Sequence, residues 1–138
     1  MSSGVAVDDR GSVSFVNKPD LEGFKRFYVV ENFSTDTVRA FHGHIKESKG
    51  VVVVKGSILL VTAPMLDGRP DKPSRFVLSD KSPHMQRIPA GYANGFRALE
   101  PGTRVMFFST TTIEEAAGDD YRFPYDCFGK KIWETESR

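Results

Sequence analysis

The sequence predicts an all-β barrel of the jelly-roll type. Twelve glycines and eight prolines cut the 138 residues into short segments. Between these breaks lie runs of β-branched and aromatic residues, including eleven phenylalanines, which suit a pleated and half-buried surface. Apolar spacing of i, i+3, i+4, i+7 never persists for three turns, so helix should be scarce. Many short strands between frequent turns indicate a sandwich or barrel closed by jelly-roll connections.

Taken in order, the expected strands begin with 13–16, which reads Val-Ser-Phe-Val, and 27–30, which reads Phe-Tyr-Val-Val. Next comes 38–45, a strand carrying His42 and His44. Four consecutive valines at 51–54 read as a strand buried on both faces, or as a barrel wall. Residues 58–62 (Ile-Leu-Leu-Val-Thr) follow, then a polar stretch from Pro64 to Pro73 with Asp67-Gly68 inside it, expected to be one long surface loop. Further strands are expected at 75–78, 86–88, 95–99 and 104–110, and 112–117 with Glu114 and Glu115 is expected to form one helical turn.

The totals bound the answer. The length fits one domain, 1–138, able to bury about two-thirds of its unfolded surface. A net charge of +1 gives neither the basic excess of a nucleic-acid binder nor an acidic tail. Cys127 is the single cysteine, so no intrachain disulfide forms and a reducing compartment is expected. The first nine residues lack the basic and apolar regions of a signal peptide, and no run approaches 18 apolar residues. A soluble cytoplasmic protein without membrane or nucleic-acid partners is the expectation.

His42 and His44 carry the chemistry. Residues i and i+2 of a strand share a face, so both imidazoles enter one space. Arg39, Lys46 and Lys49 flank them, and nearby cations disfavour a charged imidazole. A neutral imidazole can accept a proton, as needed to deprotonate carbon next to a carbonyl. The competing reading is a metal site, since His42, His44 and Glu47 form half of a metal-binding cupin pattern. The third imidazole would stand three residues after the Pro89-Ala90-Gly91 turn, where this chain has Asn94, and His84 lies outside the pattern. Asparagine is a poor ligand for Zn²⁺ or Fe²⁺, so neither metal nor cofactor is expected.

Several segments resemble the nucleotide-sugar modifying cupins, chiefly the dTDP-4-dehydrorhamnose 3,5-epimerase family. They are Asp9-Arg10-Gly11, Asn32-Phe33-Ser34 with Arg39-Ala40-Phe41-His42, Lys49 to Gly56, Ile88 to Phe96, and Tyr125-Asp126 with Trp133. Lys25-Arg26-Phe27-Tyr28 and Arg39 to Lys46 are instead similar to the dTDP-4-keto-6-deoxyglucose 3,4-ketoisomerases. Both families are metal-free isomerases of nucleotide-linked 4-keto sugars with a cupin barrel, the double-stranded β-helix.

The resemblance implies catalytic roles for His42, His44, Asp126 and Tyr28. His42 would remove the proton on C3, Asp126 would pair with it, and Tyr28 matches the ketoisomerase tyrosine. Arg39, Arg26, Lys49, Asn32 and Asn94 would contact the substrate, whose diphosphate suits guanidinium groups. Arg39 and His42 face opposite ways on a regular strand, so a bulge near Ala40 is required for both to reach the site. The epimerases' acid, a strand tyrosine, is replaced by Phe107, which leaves C3 epimerisation and 3,4-ketoisomerisation both open. The resemblance also implies a homodimer, with strand exchange between protomers. A catalytically silent sugar-nucleotide binder and a metal-dependent cupin dioxygenase are the alternatives from other classes.

Overall fold

A computed structural model describes residues 2–18 and 20–138. Twelve strands follow one another: β1 (Ser3–Asp8), β2 (Gly11–Val16), β3 (Arg26–Asn32), β4 (Val38–His44), β5 (Lys49–Lys55), β6 (Ser57–Leu66), β7 (Arg69–Pro70), β8 (Ser74–Ser79), β9 (Gln86–Ile88), β10 (Tyr92–Ala98), β11 (Thr103–Ser109) and β12 (Tyr121–Arg122). Among the described residues, helix is limited to α1 (Ile113–Ala116) and a 3₁₀ turn at Lys130–Trp133. Thr112 caps α1 through a reciprocal bond pair with Glu115, which starts the turn where the sequence places it.

All pairings are antiparallel. One sheet runs β3-β11-β5-β9, and the other runs β12-β4-β10-β6, with β7 and β8 both paired to β6. The two sheets curl toward each other as a jelly-roll barrel. Side chains alternate along β3, with Arg26, Tyr28, Val30 and Asn32 turned inward and Phe27, Val29 and Glu31 outward. Val51, Val53, Ile58, Leu60, Val105 and Phe107 form the core between the sheets. On the back of the second sheet, Phe41, Leu59, Val61 and Ala93 pack under the carboxy-terminal segment with Trp133. Arg97 ties that segment down by donating to the carbonyls of Thr35 and Trp133, and the Trp133 indole donates to the carbonyl of Tyr125.

Three expectations are corrected. Of the two readings of the four valines, the barrel wall holds and burial on both faces does not: Val51 and Val53 point inward, whereas Val54 is 48% exposed. The strand buried on both faces is β6, where Ile58 to Ala63 are all buried, because the core lies on one side and the carboxy-terminal segment on the other. The expected loop 64–73 is partly a hairpin, since β6 continues to Leu66 and turns at Asp67-Gly68 into β7. Both turn residues have positive φ (52° and 77°), the conformation that Asp-Gly favours in two-residue hairpins. Finally, β1 was not expected as a strand, and it pairs with β2 in a separate hairpin.

Candidate active site

A cavity of about 980 Å³ opens between the sheets. His42, His44 and Asn94 line it from β4 and β10; Arg26, Tyr28, Lys49 and Phe107 line it from β3, β5 and β11. Imidazoles therefore occupy one wall, and a phenol with an ammonium the facing wall.

The β4 wall depends on a bulge. Asn94 pairs with His42 and Phe96 pairs with Arg39, so Ala40 and Phe41 together oppose Gly95. A side chain at Gly95 would collide with the Cβ of Ala40, so glycine is what lets the two backbones meet there. The extra residue brings both Arg39 and His42 to the cavity, while Phe41 turns into the back core.

His42 is half-buried. Burial is the largest influence on it and holds its pKa below the ordinary 6.5; Arg122, Lys49 and His44 add to this, against Asp120. The sequence reading anticipated neutral His42 from neighbouring cations, but desolvation leads. Its carboxylate neighbour is Asp120, with Oδ1 3.8 Å from Nδ1. Asp126, assigned that role above, is exposed and does not line the cavity. The chain passes His42 where β12 pairs with β4, so residue 120 arrives beside it, and by residue 126 it has moved to the back of the sheet.

His44 is more enclosed. Its Nδ1 lies 2.5 Å from the carbonyl oxygen of Asp119 and 3.3 Å from Oε2 of Glu47, and its buried Nε2 has no partner. Asp119 accepts from the backbone N–H groups of Ile45, Lys46 and Glu47, shaping the turn after β4. Burial raises its pKa, but these three bonds prevail and hold the carboxyl below its ordinary value. For Asp120, burial is likewise outweighed by Arg122, which keeps that carboxylate ionised.

On the facing wall Lys49, 7% exposed, donates to the Tyr28 hydroxyl at 2.9 Å. Arg26 packs over the Tyr28 ring, 5.4 Å from its centroid. Its Nε donates to the Thr111 carbonyl and one terminal nitrogen to Glu47, so much of this guanidinium is engaged in the wall itself. Asn32 is buried outside the cavity lining and accepts from Arg39 Nε at 2.6 Å, which makes it a support for Arg39. Asn94 lies beside His42, donating weakly to its carbonyl at 3.4 Å. Lys49 is thus deep, while Arg39 and Arg122 are exposed at the mouth.

The sequence reading missed Asp119, Asp120 and Arg122, and saw Glu47 only as a metal ligand. Two adjacent aspartates and an arginine after Gly118 were visible as charge, but their partner strand was not. Among the described residues, no group of three or more His, Cys, Asp or Glu side chains converges as a metal site.

No family model and no curated protein sequence matches this chain. Solved structures do. The dTDP-4-dehydrorhamnose 3,5-epimerase of Bacillus anthracis, with TDP and pyrophosphate bound, shares 23% identity at a TM-score of 0.75, covering 99% of this chain and 84% of that one. The 3,5-epimerase of Legionella pneumophila, in complex with dTDP-4-keto-L-rhamnose, shares 17% at 0.75, covering 90% and 71%. The TDP-quinovose 3,4-ketoisomerase of Campylobacter jejuni shares 15% at 0.68, covering 88% and 89%. The chain has the fold of these enzymes.

Proposed function

We propose that the protein is a metal-free isomerase of a nucleoside-diphosphate-linked 4-keto-6-deoxy sugar, with dTDP as the expected carrier. One observation carries this reading: paired imidazoles on one wall of a cavity face a phenol–ammonium pair on the other. An imidazole removes the proton on C3, and the electron pair moves onto the C4 ketone oxygen. The Lys49 ammonium and Tyr28 hydroxyl stabilise the resulting enediolate. Return of a proton to the far face of C3 gives the epimer, and delivery to C4, with the C3 hydroxyl proton passing to the C4 oxygen, gives the 3,4-ketoisomer. Arg39 and Arg122 at the mouth suit the diphosphate. The neighbours bound to TDP and to a dTDP-4-keto sugar support the substrate class.

Metal-independent chemistry is supported by the donors themselves. Glu47, the carboxylate of the metal-binding pattern, is bound by Arg26 and Ser109, and Asn94 stands where a third imidazole is needed. The reading takes residues 1–138 as one domain in the cytoplasm. Among the described residues no helix is long and apolar enough to cross a membrane, and the exposed thiol of Cys127 suits a reducing compartment.

A homodimer is part of this reading. The β1–β2 hairpin forms its own sheet, with Val7 and Val13 exposed, and an isolated hairpin is marginal in water. The outer edge of β3 is unpaired among the described residues and exposes Phe27 and Val29, so the hairpin of a second copy can extend that sheet.

The test is incubation with a panel of nucleotide-linked 4-keto sugars in heavy water, followed by NMR. Deuterium entering carbon next to the ketone, with a new isomer, is expected. Tight nucleotide binding without exchange would favour the silent binder, and activity that requires a dialysis-resistant metal would favour the dioxygenase.

A further inference from the structure

The buried carboxylate of Glu47 has no role in the chemistry proposed so far. Its side chain is 1% exposed. Oε1 accepts from Arg26 at 3.2 Å and from the Ser109 hydroxyl at 2.5 Å, while Oε2 stands 3.3 Å from Nδ1 of His44. A buried carboxylate normally has all its charge compensated, and here part of that compensation is directed at an imidazole that lines the cavity.

The two nitrogens of His44 differ. A carbonyl oxygen can only accept, so the 2.5 Å approach of Asp119 requires the hydrogen on Nδ1. In the neutral ring Nε2 then carries the lone pair, and it is buried without a protein partner. His42 lacks this support: its carboxylate neighbour is 3.8 Å away, with both side chains about 40% exposed.

We propose that Glu47 is a positioning residue that acts through His44, adding its carboxylate to the Asp119 carbonyl at Nδ1 so that Nε2 stays free as the base nitrogen, and stabilising the imidazolium formed when Nε2 takes a proton. The inference rests on the isomerase reading above. The C3–H bond of the substrate breaks, its proton bonds to Nε2, and its electron pair moves to the C4 ketone oxygen; that proton can then return to C4 while neutral His42 carries the C3 hydroxyl proton to the C4 oxygen, with no net oxidation. The charged groups around His44 are His42 on β4, Glu47 after it, Arg26 on β3, Lys49 on β5, and Asp119 and Asp120 before β12, with Arg122 on β12.

Side-chain ¹⁵N NMR of the full chain, without substrate, tests this directly. In the wild type the ring nitrogen shifts should place the His44 hydrogen on Nδ1, and Glu47→Gln should lower the share of that tautomer. Ser109→Ala, which removes a buried bond but keeps the carboxylate, should leave the tautomer unchanged. Should Glu47→Gln fail to fold, Glu47→Asp should give a smaller change in the same direction. An Nε2–H tautomer in the wild type, or an unchanged tautomer in the Glu47 variant, would overturn the proposal even if no substrate is found. With a turned-over sugar, Glu47→Gln should lower kcat roughly 10- to 100-fold, with KM changed less than about threefold. An equal loss in Ser109→Ala would show a packing role and reject the proposal. Absence of turnover in the wild type would reject the isomerase reading alone, since the tautomer measurement stands without it.

Discussion

Tyr28 lies flat on Phe107, with ring centroids 5.2 Å apart and planes 9° from parallel, and the two residues are direct partners across β3 and β11. The resemblance would place at Phe107 the acid tyrosine of the epimerases. Phe107 is 3% exposed and packs against Phe96 in the core. The phenol of this cavity instead sits on β3, where Lys49 donates to its oxygen.

The position of this phenol predicts where exchange occurs. Deuterium from heavy water should enter at C3 or C4, with little at C5. Tyr28→Phe should lower turnover roughly 10²- to 10⁴-fold while preserving the ring stack. The double variant Tyr28→Phe/Phe107→Tyr, which returns the phenol to β11, should gain exchange at C5. Rapid C5 exchange in the wild type would show that another acid serves that carbon.

Holding and chemistry should separate. His42→Ala is expected to reduce turnover by a factor of about 10²–10⁴ while nucleotide still binds. Arg39→Ala should instead weaken nucleotide binding, since it removes a charge-assisted donor at the mouth. Calorimetric titration with the nucleoside diphosphate, beside steady-state rates, distinguishes them; near-normal rates in His42→Ala would reject its role.

The pH profile has a worked sign. His42 must be neutral to accept a proton, and burial followed by Arg122 holds its pKa below 6.5, so activity should persist below pH 6.5 before the acid limb falls. Arg122→Ala removes a lowering influence and should move the limb to higher pH. Asp120→Asn removes the opposing influence and should move it lower. Profiles of kcat/KM for the three proteins check the order.

Asp119 should matter to stability. Its carboxylate accepts three backbone N–H groups, and Asp119→Asn replaces one accepting oxygen with a donor, costing roughly 1.5–3 kcal/mol at pH 7. Because its folded pKa lies below the unfolded one, this contribution is full above the ordinary carboxylate value of 3.8 and is lost as pH falls through the lower folded value. Urea unfolding at pH 7 and near pH 2 should therefore show a large difference between variant and wild type that shrinks at the lower pH.

Much of the barrel was readable in the chain because strands announce themselves locally. Runs of Val, Ile and Phe between glycines and prolines marked most strands, and the spacing of His42 and His44 placed both imidazoles on one face. Asp67-Gly68 was read as loop, although the same dipeptide is a hairpin signal, because the polar residues around it hid the two-residue strand β7. Four valines at 51–54 left burial on both faces and a barrel wall both open, because local sequence does not say whether a second layer covers a sheet, and here it covers β6 instead.

The sequence by itself determined the strand-rich barrel, the paired imidazoles, and the cations and phenol expected near them, since these depend on residue type and on a period of two. Only the tertiary structure decided which carboxylate meets which imidazole. Asp120 stands beside His42 because β12 pairs with β4, and Glu47 reaches His44 and Arg26 because Asp119 folds the turn between β4 and β5 around its own oxygens. Those contacts join residues up to 78 positions apart, as with His42 and Asp120, and no local pattern in the chain encodes a distance between side chains that only the closed barrel brings together.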